Sequence, residues 1–544
     1  MTSTVLDIHD LHVSLPQNAD RPYAVEGLNI SIERDQIVCV VGESGSGKTL
    51  TGRAVMRLLP GPYVKAVGGR IDFGGEDLLK VSEARMRQIR GDRIAMIFQE
   101  PMTALNPLMT IGEQIDELVR MHTRLPKPER RARARAILDD VGLPDPAGML
   151  GAYPHELSGG QRQRAMIAMA LILEPELIVA DEPTTALDVT TQAQILKLLK
   201  DLQAEHHTGV LYITHDFGVV ADIADRVEVM HRGIQVESGP AEQVLNRPQD
   251  AYTRSLISAV PSLIPAHRPL RVNAPVVLET HALCKTYRSG GGLFGIGGRT
   301  VDAVRDVSIR LRQGETLGIV GESGSGKSTL ARLVVRIIDS DSGTINIDNT
   351  EITSLRGANL RQMRRRVQMV FQDPFGSLNP RYRVGRLIAE GMIVHGTPSK
   401  EAYRRADELL DLVGLQATAA NRFPHEFSGG QRQRIGLARA LALDPDILVA
   451  DEPVSALDVS VQAQVLDLLD EIRERLKLSM LFITHDLRVA AQVCDHIAVM
   501  SKWAVVEYGE TGQIFANPTH PYTQELLDAV PGRSWSPVLL AKSP

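Results

Sequence analysis

Residues 42–49 read GESGSGKT, and residues 321–328 read GESGSGKS. Each stretch follows a short apolar run, Ile37–Val41 or Thr316–Val320, and precedes a segment of helical composition. A strand, a glycine-rich turn ending in Lys-Thr or Lys-Ser, and a helix together predict a loop whose backbone amides surround a phosphate group. The chain therefore has two predicted phosphate-binding loops, each at the start of an α/β unit.

The two loops belong to a repeat that covers most of the chain. After the first loop come Gln99, LSGGQ (157–161), LIVADEP (177–183), ALD (186–188) and His215; after the second come Gln372, FSGGQ (427–431), ILVADEP (447–453), ALD (456–458) and His485. The second copy follows the first by 279 residues at the glycine loop, 273 at the glutamine and 270 at every later motif. This agreement predicts two domains of related fold in one polypeptide.

Length and composition agree with that division. A chain of 544 residues is long for one hydrophobic core, and its apolar fraction of 43% is ordinary for a globular protein. The net charge of −6 argues against a nucleic-acid-binding protein. The three cysteines, Cys39, Cys284 and Cys494, have no metal-site or disulfide spacing, which indicates a reducing compartment. We expect no signal peptide and no membrane span.

The pattern along the chain predicts alternating strands and helices. Strands are predicted at 27–32, 177–180 and 210–214 in the first half and at 304–311, 447–450 and 480–484 in the second; helices are predicted at 50–59 and 329–338, and mainly helical middles at 112–153 and 385–423. The predicted domains are residues 1–261 and 276–531, each with a C-terminal extension. A linker (262–275) and a tail (532–544) complete the chain, and the glycine-rich run 289–299 predicts a mobile loop.

Two basic runs allow two interpretations. The first contains Arg130, Arg131, Arg133 and Arg135, and the second contains Arg364, Arg365 and Arg366. Each lies in a stretch of helical composition. A solvated helix face is the favoured interpretation, and contact with a partner or with lipid headgroups is the alternative.

The motif residues predict specific chemistry. Lys48 and Lys327 would reach the β- and γ-phosphates, while Thr49 and Ser328 would offer a hydroxyl to Mg²⁺. An Asp-Glu pair after a buried strand predicts a metal-holding aspartate, Asp181 or Asp451, and a glutamate that orients or deprotonates water, Glu182 or Glu452. The alternative interpretations are a plain glycine turn and a solvated acidic turn. The serine of SGGQ would on its own be an ordinary helix N-cap.

Taken together, these motifs resemble the ATP-binding cassette (ABC) family over nearly the whole chain. The resemblance implies two tandem nucleotide-binding domains, each with a RecA-like α/β core, an antiparallel β subdomain and an inserted helical subdomain. It also implies that the cassettes pair head to tail, so that Lys48 and Ser428 would share one ATP, and Lys327 and Ser158 the other.

The resemblance assigns roles residue by residue. The implied catalytic residues are Glu182, Glu452, His215, His485, Gln99 and Gln372. The implied Mg²⁺ ligands are Thr49, Gln99, Asp181, Ser328, Gln372 and Asp451. The implied ATP-binding residues are Gly42, Glu43, Ser44, Gly45, Ser46, Gly47, Lys48, Thr49, Ser158, Gly159, Gly160 and Gln161, followed by Tyr287, Gly321, Glu322, Ser323, Gly324, Ser325, Gly326, Lys327, Ser328, Thr329, Ser428, Gly429, Gly430 and Gln431.

A narrower resemblance concerns the peptide/nickel importer branch. It is carried by FQEPMTALNP (98–107), FQDPFGSLNP (371–380) and the two extensions ending in YTxxLxxAVP. It implies an ATPase subunit on the cytoplasmic face of the membrane, paired with two permease subunits and an extracytoplasmic binding protein, for di- or oligopeptides, glutathione, nickel chelates or haem. The extensions hold no cysteine cluster, so no iron–sulfur centre is expected.

Two features depart from the family pattern, and two other functions stay open. Leu15 stands where the family has an adenine-stacking aromatic, which Tyr287 supplies in the second half and for which Tyr23 is a substitute in the first. Phe427 begins the second signature in place of leucine. The alternative functions are a tandem ABC ATPase acting on ribosomes or DNA, and an exporter ATPase.

Overall fold

The computed structural model describes residues 4–184, 187–268, 271, 273–289, 299–455 and 457–536. The predictions for Ala186, Ala456 and most of the glycine-rich run 289–299 lie outside these ranges, as do parts of the linker and of the tail. Residue contacts divide the chain into two units. The first is Met1–Val260 with Ala529–Pro544, and the second is Pro261–Asp528.

A mixed sheet forms the centre of the first unit. Its strands are β1 (Thr4–Ser14), β2 (Tyr23–Glu33), β3 (Ile37–Val41), β4 (Ala66–Phe73), β5 (Glu76–Asp77), β6 (Ile94–Ile97), β7 (Leu177–Asp181), β8 (Gly209–Ile213), β9 (Arg226–His231) and β10 (Ile234–Pro240). They lie in the order β5-β4-β1-β2-β10-β9-β3-β8-β7-β6. The first four in this order are antiparallel, whereas β9, β3, β8, β7 and β6 are parallel. Strands β3, β7 and β8 are buried throughout, as expected for parallel strands covered by helices on both faces.

The helices of the first unit flank this sheet. They are α1 (Lys48–Val55), α2 (Glu83–Ile89), α3 (Pro101–Ala104), α4 (Ile111–His122), α5 (Lys127–Asp140), α6 (Pro146–Met149), α7 (Gly159–Leu171), α8 (Val189–His206), α9 (Phe217–Ile223), α10 (Ala241–Asn246) and α11 (Ala251–Ser258), with a 3₁₀ turn at Pro154–Glu156. Helices α3–α6 are inserted between β6 and β7. Their apolar side chains, among them Ile111, Ile115 and Leu138, join the core cluster that also contains β3 and β7.

The second unit repeats this plan with its strands in two sheets. Its strands are β11 (Val276–Ser289), β12 (Arg299–Val307), β13 (Arg310–Arg312), β14 (Thr316–Val320), β15 (Ser342–Ile347), β16 (Thr350–Glu351), β17 (Val367–Val370), β18 (Ile447–Asp451), β19 (Ser479–Ile483), β20 (His496–Ser501) and β21 (Ala504–Glu510). One sheet has the order β12-β11-β15-β16 with β13 paired to β11, and the other has the order β17-β18-β19-β14-β20-β21. Strands β17, β18, β19, β14 and β20 are parallel.

The helices of the second unit follow in the same sequence. They are α12 (Lys327–Val334), α13 (Gly357–Arg366), α14 (Pro374–Ser377), α15 (Val384–Val394), α16 (Ser399–Leu412), α17 (Gly429–Leu441), α18 (Val459–Leu476), α19 (Leu487–Val493), α20 (Thr511–Ala516) and α21 (Pro521–Asp528), with 3₁₀ turns at Ala417–Asn421 and Pro424–Glu426. Helices α14–α16 are inserted between β17 and β18.

The α/β architecture and the helical middles predicted from sequence are confirmed, with two local corrections. The helices predicted at 50–59 and 329–338 end at Val55 and Val334, because Arg57 and Arg336 adopt left-handed backbone angles (φ 50° and 58°). The strand predicted at 304–311 is interrupted between β12 and β13, next to Asp306 at φ 53°. Within the described residues, the search for a helix both long and apolar enough to cross a membrane finds none.

The C-terminal residues of the chain complete the first unit rather than the second. The backbone amide of Gly532 donates a hydrogen bond to Asp222 Oδ2 (2.8 Å), and Trp535 packs on the hydrophobic core of the first unit. A Cβ at Gly218, in the first turn of α9, would collide with the carbonyl oxygen of Pro531. The peptide after Val530 therefore forms a strap over α9.

A second strap lies over the equivalent helix of the other unit. Residues 261–266 pack along α19, where Gln492 Nε2 donates to the carbonyl oxygens of Ser262 and Ile264 (both 2.8 Å). The amide of Ala266 donates to the carbonyl oxygen of Ala491 (3.0 Å). Each strap follows the C-terminal extension of one repeat and belongs to the unit built from the other.

Replacing Trp535 with alanine tests the contribution of the first strap. We expect the first unit to lose about 1–3 kcal/mol of stability, because a partly buried indole is removed from its core. Hydrogen exchange of the full chain should show faster exchange of α9 amides. Trp503→Ala, in the second unit, is the control and should leave α9 protection unchanged. Unaltered α9 exchange in Trp535→Ala would contradict this role.

Candidate functional site

The phosphate loop of the first unit has the backbone expected of an anion-binding turn. Gly47 precedes α1 with φ 105°, and no side chain caps the first turn of that helix. Its amides therefore stay available to an anion, and the helix dipole adds to the attraction. Lys48 is buried, and its Nζ donates to the carbonyl oxygens of Gly42 (2.7 Å) and Glu43 (3.0 Å).

The second unit repeats this geometry. Gly326 precedes α12 with φ 105° and again no side chain caps the helix. Lys327 Nζ donates to the carbonyl oxygens of Gly321 (2.7 Å) and Glu322 (2.8 Å). In both units the ammonium group is held over the loop by the loop's own carbonyl groups.

A buried hydroxyl in each loop lacks a partner within the protein. Ser46 Oγ and Ser325 Oγ are both buried, and neither makes a hydrogen bond to any residue that the structure describes. An unsatisfied buried hydroxyl is costly unless something binds it. Together with the uncapped helix and the buried lysine, this fits a phosphate group as the missing acceptor.

A hydroxyl and a carboxylate meet beside each loop. Thr49 Oγ1 donates to Asp181 Oδ1 (2.9 Å), and Ser328 Oγ donates to Asp451 Oδ1 (3.0 Å). Burial raises the pKa of both aspartates above the ordinary value. Hard oxygen donors of this kind are those that Mg²⁺ prefers, and a bound cation would favour the charged form of each buried carboxyl. The side chains therefore fit the predicted metal position.

The glutamate after β7 lies at the centre of a small polar cluster. Glu182 has a left-handed backbone angle, φ 46°, which is unusual for a residue with a side chain. Gln99 Nε2 donates to its Oε2 (2.8 Å), and His215 Nδ1 lies 3.0 Å from its Oε1. Burial alone would lower the pKa of His215, but the hydrogen bond and charge of Glu182 outweigh it and raise that pKa.

The same cluster forms around Glu452, whose φ is also 46°. Gln372 Nε2 donates to Glu452 Oε2 (2.7 Å), and His485 Nδ1 lies 3.3 Å from Oε1. Burial opposes the ion pair here too, yet the pKa of Glu452 is lowered and that of His485 is raised, because each stabilises the other's charge. The structure thus brings glutamine, glutamate and histidine together in each unit, at the end of the strand that also carries the metal-type aspartate.

The signature residues start a helix in each unit. Ser158 Oγ accepts from the Gln161 amide (3.3 Å), and Gln161 Oε1 accepts from the Ser158 amide (2.9 Å), which is a capping box. Ser428 and Gln431 do the same at α17. In the part of the chain that the structure describes, the hydrogen bonds of these two pairs stay within the first helical turn. The ordinary helix-cap interpretation therefore applies within each unit.

The aromatic residues expected to contact a base differ between the units. Tyr287 in β11 is 44% exposed, so its ring is accessible to a planar ligand. Leu15 is partly buried and packs on the core of the first unit. Tyr23 contacts the ring of His12 edge-on, with centroids 5.5 Å apart.

The sequence did not indicate that the C-terminal extensions reach the phosphate loops. The backbone amide of Glu43 donates to the phenol oxygen of Tyr252 in α11 (3.2 Å), and the amide of Glu322 donates to that of Tyr522 in α21 (3.1 Å). Tyr252 also stacks on His231 with ring centroids 3.9 Å apart. The recurrent Tyr-Thr pair of the two extensions was the available signal.

Most of the predicted basic runs are engaged within the protein. Arg130 forms hydrogen bonds with both carboxylate oxygens of Asp116, Arg133 pairs with Glu174, and Arg366 pairs with Asp348 and Asp446. The interpretation as helix faces, rather than partner contacts, is favoured for these residues.

Comparison with known proteins gives the family. The profile of the ABC transporter family matches residues 25–185 and 304–455. The chain belongs to this family. Its two matched segments are tandem ABC cassettes, and ABC ATPases of this kind hydrolyse ATP. A second profile, described as the C-terminal region of oligopeptide/dipeptide transporters, matches residues 236–288 and 506–534, which include Tyr252 and Tyr522.

Individual relatives of this ABC protein extend over almost its full length. The glutathione import ATP-binding protein GsiA of Escherichia coli O157:H7 is 45% identical over 557 aligned positions, covering 97% of this chain and 89% of the relative. GsiA of Shigella boydii serotype 4 matches to the same extent. Among solved structures, the ATP-binding cassette MJ0796 bound to ADP and Pi is 29% identical and covers 43% of this chain and 98% of its own, with a TM-score of 0.39.

Removing the two phenol groups tests the contact between extension and loop. In Tyr252→Phe and Tyr522→Phe, the amide of Glu43 or Glu322 loses its acceptor, so we expect the KM for ATP to rise about 3–10-fold with little change in kcat. ATPase kinetics of the full chain measure this. Tyr63→Phe, at an exposed tyrosine, is the control. An unchanged KM in the double variant would show that the contact does not position the loop.

Proposed function

We propose that this chain is the energy-coupling ATPase subunit of an ABC importer for short peptides, with peptides of the glutathione class as the favoured substrate. The observation that carries the proposal is the joint match to two cassettes and two peptide-transporter extensions. The similarity to glutathione import ATP-binding proteins over 97% of the chain supports the same conclusion. Dipeptides, longer peptides, nickel chelates and haem are the other substrates that the resemblance allows.

The proposed roles of the loop residues follow from their geometry. Lys48 and Lys327 lie buried over the loops and would transfer their hydrogen bonds from loop carbonyls to phosphate oxygens of ATP. The uncapped amides of α1 and α12 and the hydroxyls of Ser46 and Ser325 would complete the cradle. Thr49 with Asp181, and Ser328 with Asp451, would hold Mg²⁺. That ion would offset the negative charge of the phosphates when bound.

The proposed hydrolytic residues are the glutamates and their two neighbours. Glu182 and Glu452 would orient a water molecule and accept its proton. The proton on Nδ1 of His215 or His485 faces this carboxylate, so each histidine holds its glutamate charged and in place. Gln99 and Gln372 donate to the second carboxylate oxygen and fix the direction of its lone pairs. The head-to-tail pairing, with Ser428 beside Lys48 and Ser158 beside Lys327, stays a prediction of the resemblance.

The proposed partners are two membrane-spanning permease subunits and an extracytoplasmic substrate-binding protein. In this arrangement the chain works from the cytoplasmic face of the inner membrane. ATP binding and hydrolysis would switch the permeases between two accessible states. Selectivity for the solute would then reside in the partner subunits, which is why this chain restricts the substrate only to a class.

A different class of function, action on ribosomes or DNA, is disfavoured by the net charge of −6 and the short linker. Detergent purification of the tagged chain from its own membranes separates the two possibilities. Recovery of two multi-span proteins, with ATPase activity stimulated by glutathione or dipeptides in the presence of a binding protein, supports the importer. Co-sedimentation with ribosomes, or recovery of DNA-associated proteins without membrane subunits, contradicts it. An exporter is tested by the direction of transport in proteoliposomes.

Glutamine substitution of the two glutamates tests the assigned base. In Glu182→Gln or Glu452→Gln the amide cannot accept a proton, so we expect turnover at the altered site to fall at least 100-fold while ATP binding is retained. Single-turnover hydrolysis and nucleotide binding measure the two properties. Glu176→Gln, at an Arg93-paired surface glutamate, is the control. Full activity in either single variant would show that its site is dispensable.

Restoring an aromatic residue in the first unit tests the adenine platform. Leu15→Tyr should lower the Kd for a non-hydrolysable ATP analogue at the first site about 3–10-fold, because base stacking on an aromatic ring is worth roughly 1–3 kcal/mol by substitution. Binding is measured in a Lys327→Ala background, which isolates that site. Leu15→Ile is the matched control. An affinity equal to that of the control would rule out a missing platform.

A further inference from the structure

The helical insertion of each unit contains a surface groove, and the two grooves differ in charge. The groove of the first unit has a volume of about 600 Å³ and lies between α4, α5 and α6; that of the second has about 490 Å³ and lies between α15, α16 and the turn at Ala417–Asn421. They occupy equivalent places in the two repeats. Three carboxylates and three cations line the first groove, whereas three arginines and a single carboxylate, Asp407, line the second.

The three arginines replace uncharged or acidic residues of the first repeat. Arg381, Arg383 and Arg386 stand where the first unit has Leu108, Thr110 and Glu113. Leu108 is 84% exposed, so the first groove offers an apolar contact at the position of the first arginine. The same surface is thus acidic and apolar in one unit and basic in the other.

The local helix geometry makes this exchange unfavourable in the free chain. In the first unit, Thr110 and Glu113 form a capping box at the start of α4. In the second, Arg383 is the N-cap of α15 and makes no side-chain cap. Positive charges at a helix N-terminus oppose the helix dipole. The second repeat has therefore lost a stabilising cap and gained two arginines in the same turn.

The guanidinium groups are positioned but not neutralised. Arg386 lies 3.7 Å from the ring centroid of Tyr382, and Arg383 lies 5.6 Å from that of Phe423. All three arginines are exposed, and none forms an ion pair with a residue in the described ranges. Arg130, Arg133 and Arg366, in contrast, are all paired with carboxylates. Stacking on aromatic rings holds the arginines ready for an external carboxylate.

We propose that the groove of the second unit binds an acidic cytoplasmic segment of one membrane subunit, and that the groove charges determine which of two subunits docks on which unit. The inference rests on the proposed importer function and adds the rule of subunit pairing. Arginine forks bind carboxylates through two parallel hydrogen bonds, which suits aspartate or glutamate side chains. The concave shape, the three aromatic rings and Asp407, which would accept a donor, fit a peptide segment better than a flat layer of lipid headgroups. The mixed first groove, with exposed Leu108, fits a less acidic, more apolar segment.

Charge reversal in each groove, with the full chain as bait, tests the pairing rule. The two membrane subunits that co-purify with the chain are quantified by mass spectrometry for wild type, for Arg383→Glu/Arg386→Glu and for the matched variant Glu113→Arg/Glu117→Arg. We expect the first variant to lose one subunit at least 10-fold and keep the other, and the second variant to show the opposite loss. Basal ATPase of the purified chain should be unchanged in both and reports correct folding.

A defined probe gives an independent readout. Two fluorescent 14-residue helical peptides, identical except for three glutamates or three lysines on one face, are titrated against the full chain at 50 and 300 mM NaCl. We expect the glutamate peptide to bind wild type at least 10-fold more tightly at low salt, and the preference to invert in Arg383→Glu/Arg386→Glu. Equal binding of the two peptides by wild type would overturn the inference.

The other outcomes separate the inference from the proposed function. If both membrane subunits co-purify equally with wild type and with both variants, the importer stands and the pairing rule fails. If no membrane subunit is recovered with wild type, the proposed function fails, and with it the rule. Binding of phosphatidylserine vesicles through Arg383 and Arg386, without binding of the glutamate peptide, would assign the groove to lipid and overturn the inference.

Discussion

The phosphate loops lie so close to their sheets that only glycine fits at two positions in each loop. A Cβ at Gly42 would collide with the carbonyl oxygen of Met230, and one at Gly47 with that of Ala24; Gly321 and Gly326 meet Met500 and Ala303 in the same way. This approach fixes the loop against β9 and β2, or against β20 and β12. The helix after the loop, the buried lysine and the hydroxyl that reaches the aspartate all take their positions from it.

The polar cluster behind each loop shows how a buried site retains charge. Each glutamate sits in a strained left-handed backbone conformation at the end of a buried strand, where the paired histidine and glutamine compensate for lost hydration. The histidines keep a raised pKa despite burial because the carboxylate is close. Rigid strands therefore place the reactive groups, and mutual pairing keeps them charged before any ligand arrives.

Sequence patterns predicted the parts of the structure that depend on local chemistry. The glycine loops, the buried strands before them and the Asp-Glu ends follow from short motifs, and their positions agree with the α/β fold. The contact between Tyr252 and Glu43 joins residues 209 positions apart, and no local pattern reports a hydrogen bond of that separation. The unequal grooves were also missed, because charges dispersed over two helices form one surface only after folding. Helix ends at Val55 and Val334 depended on backbone angles of single arginines.

The strap formed by residues 531–536 has a consequence for how the protein is made. Ribosomes deliver a chain from its N-terminus, and domains generally begin to fold as they emerge. The first unit can form its sheet and loop early, but α9 is covered by residues that are synthesised last. Maturation of the first unit is therefore completed only after release of the finished polypeptide. A prematurely terminated chain, even one that contains the whole first repeat, would leave part of that unit's core exposed to chaperones and proteases.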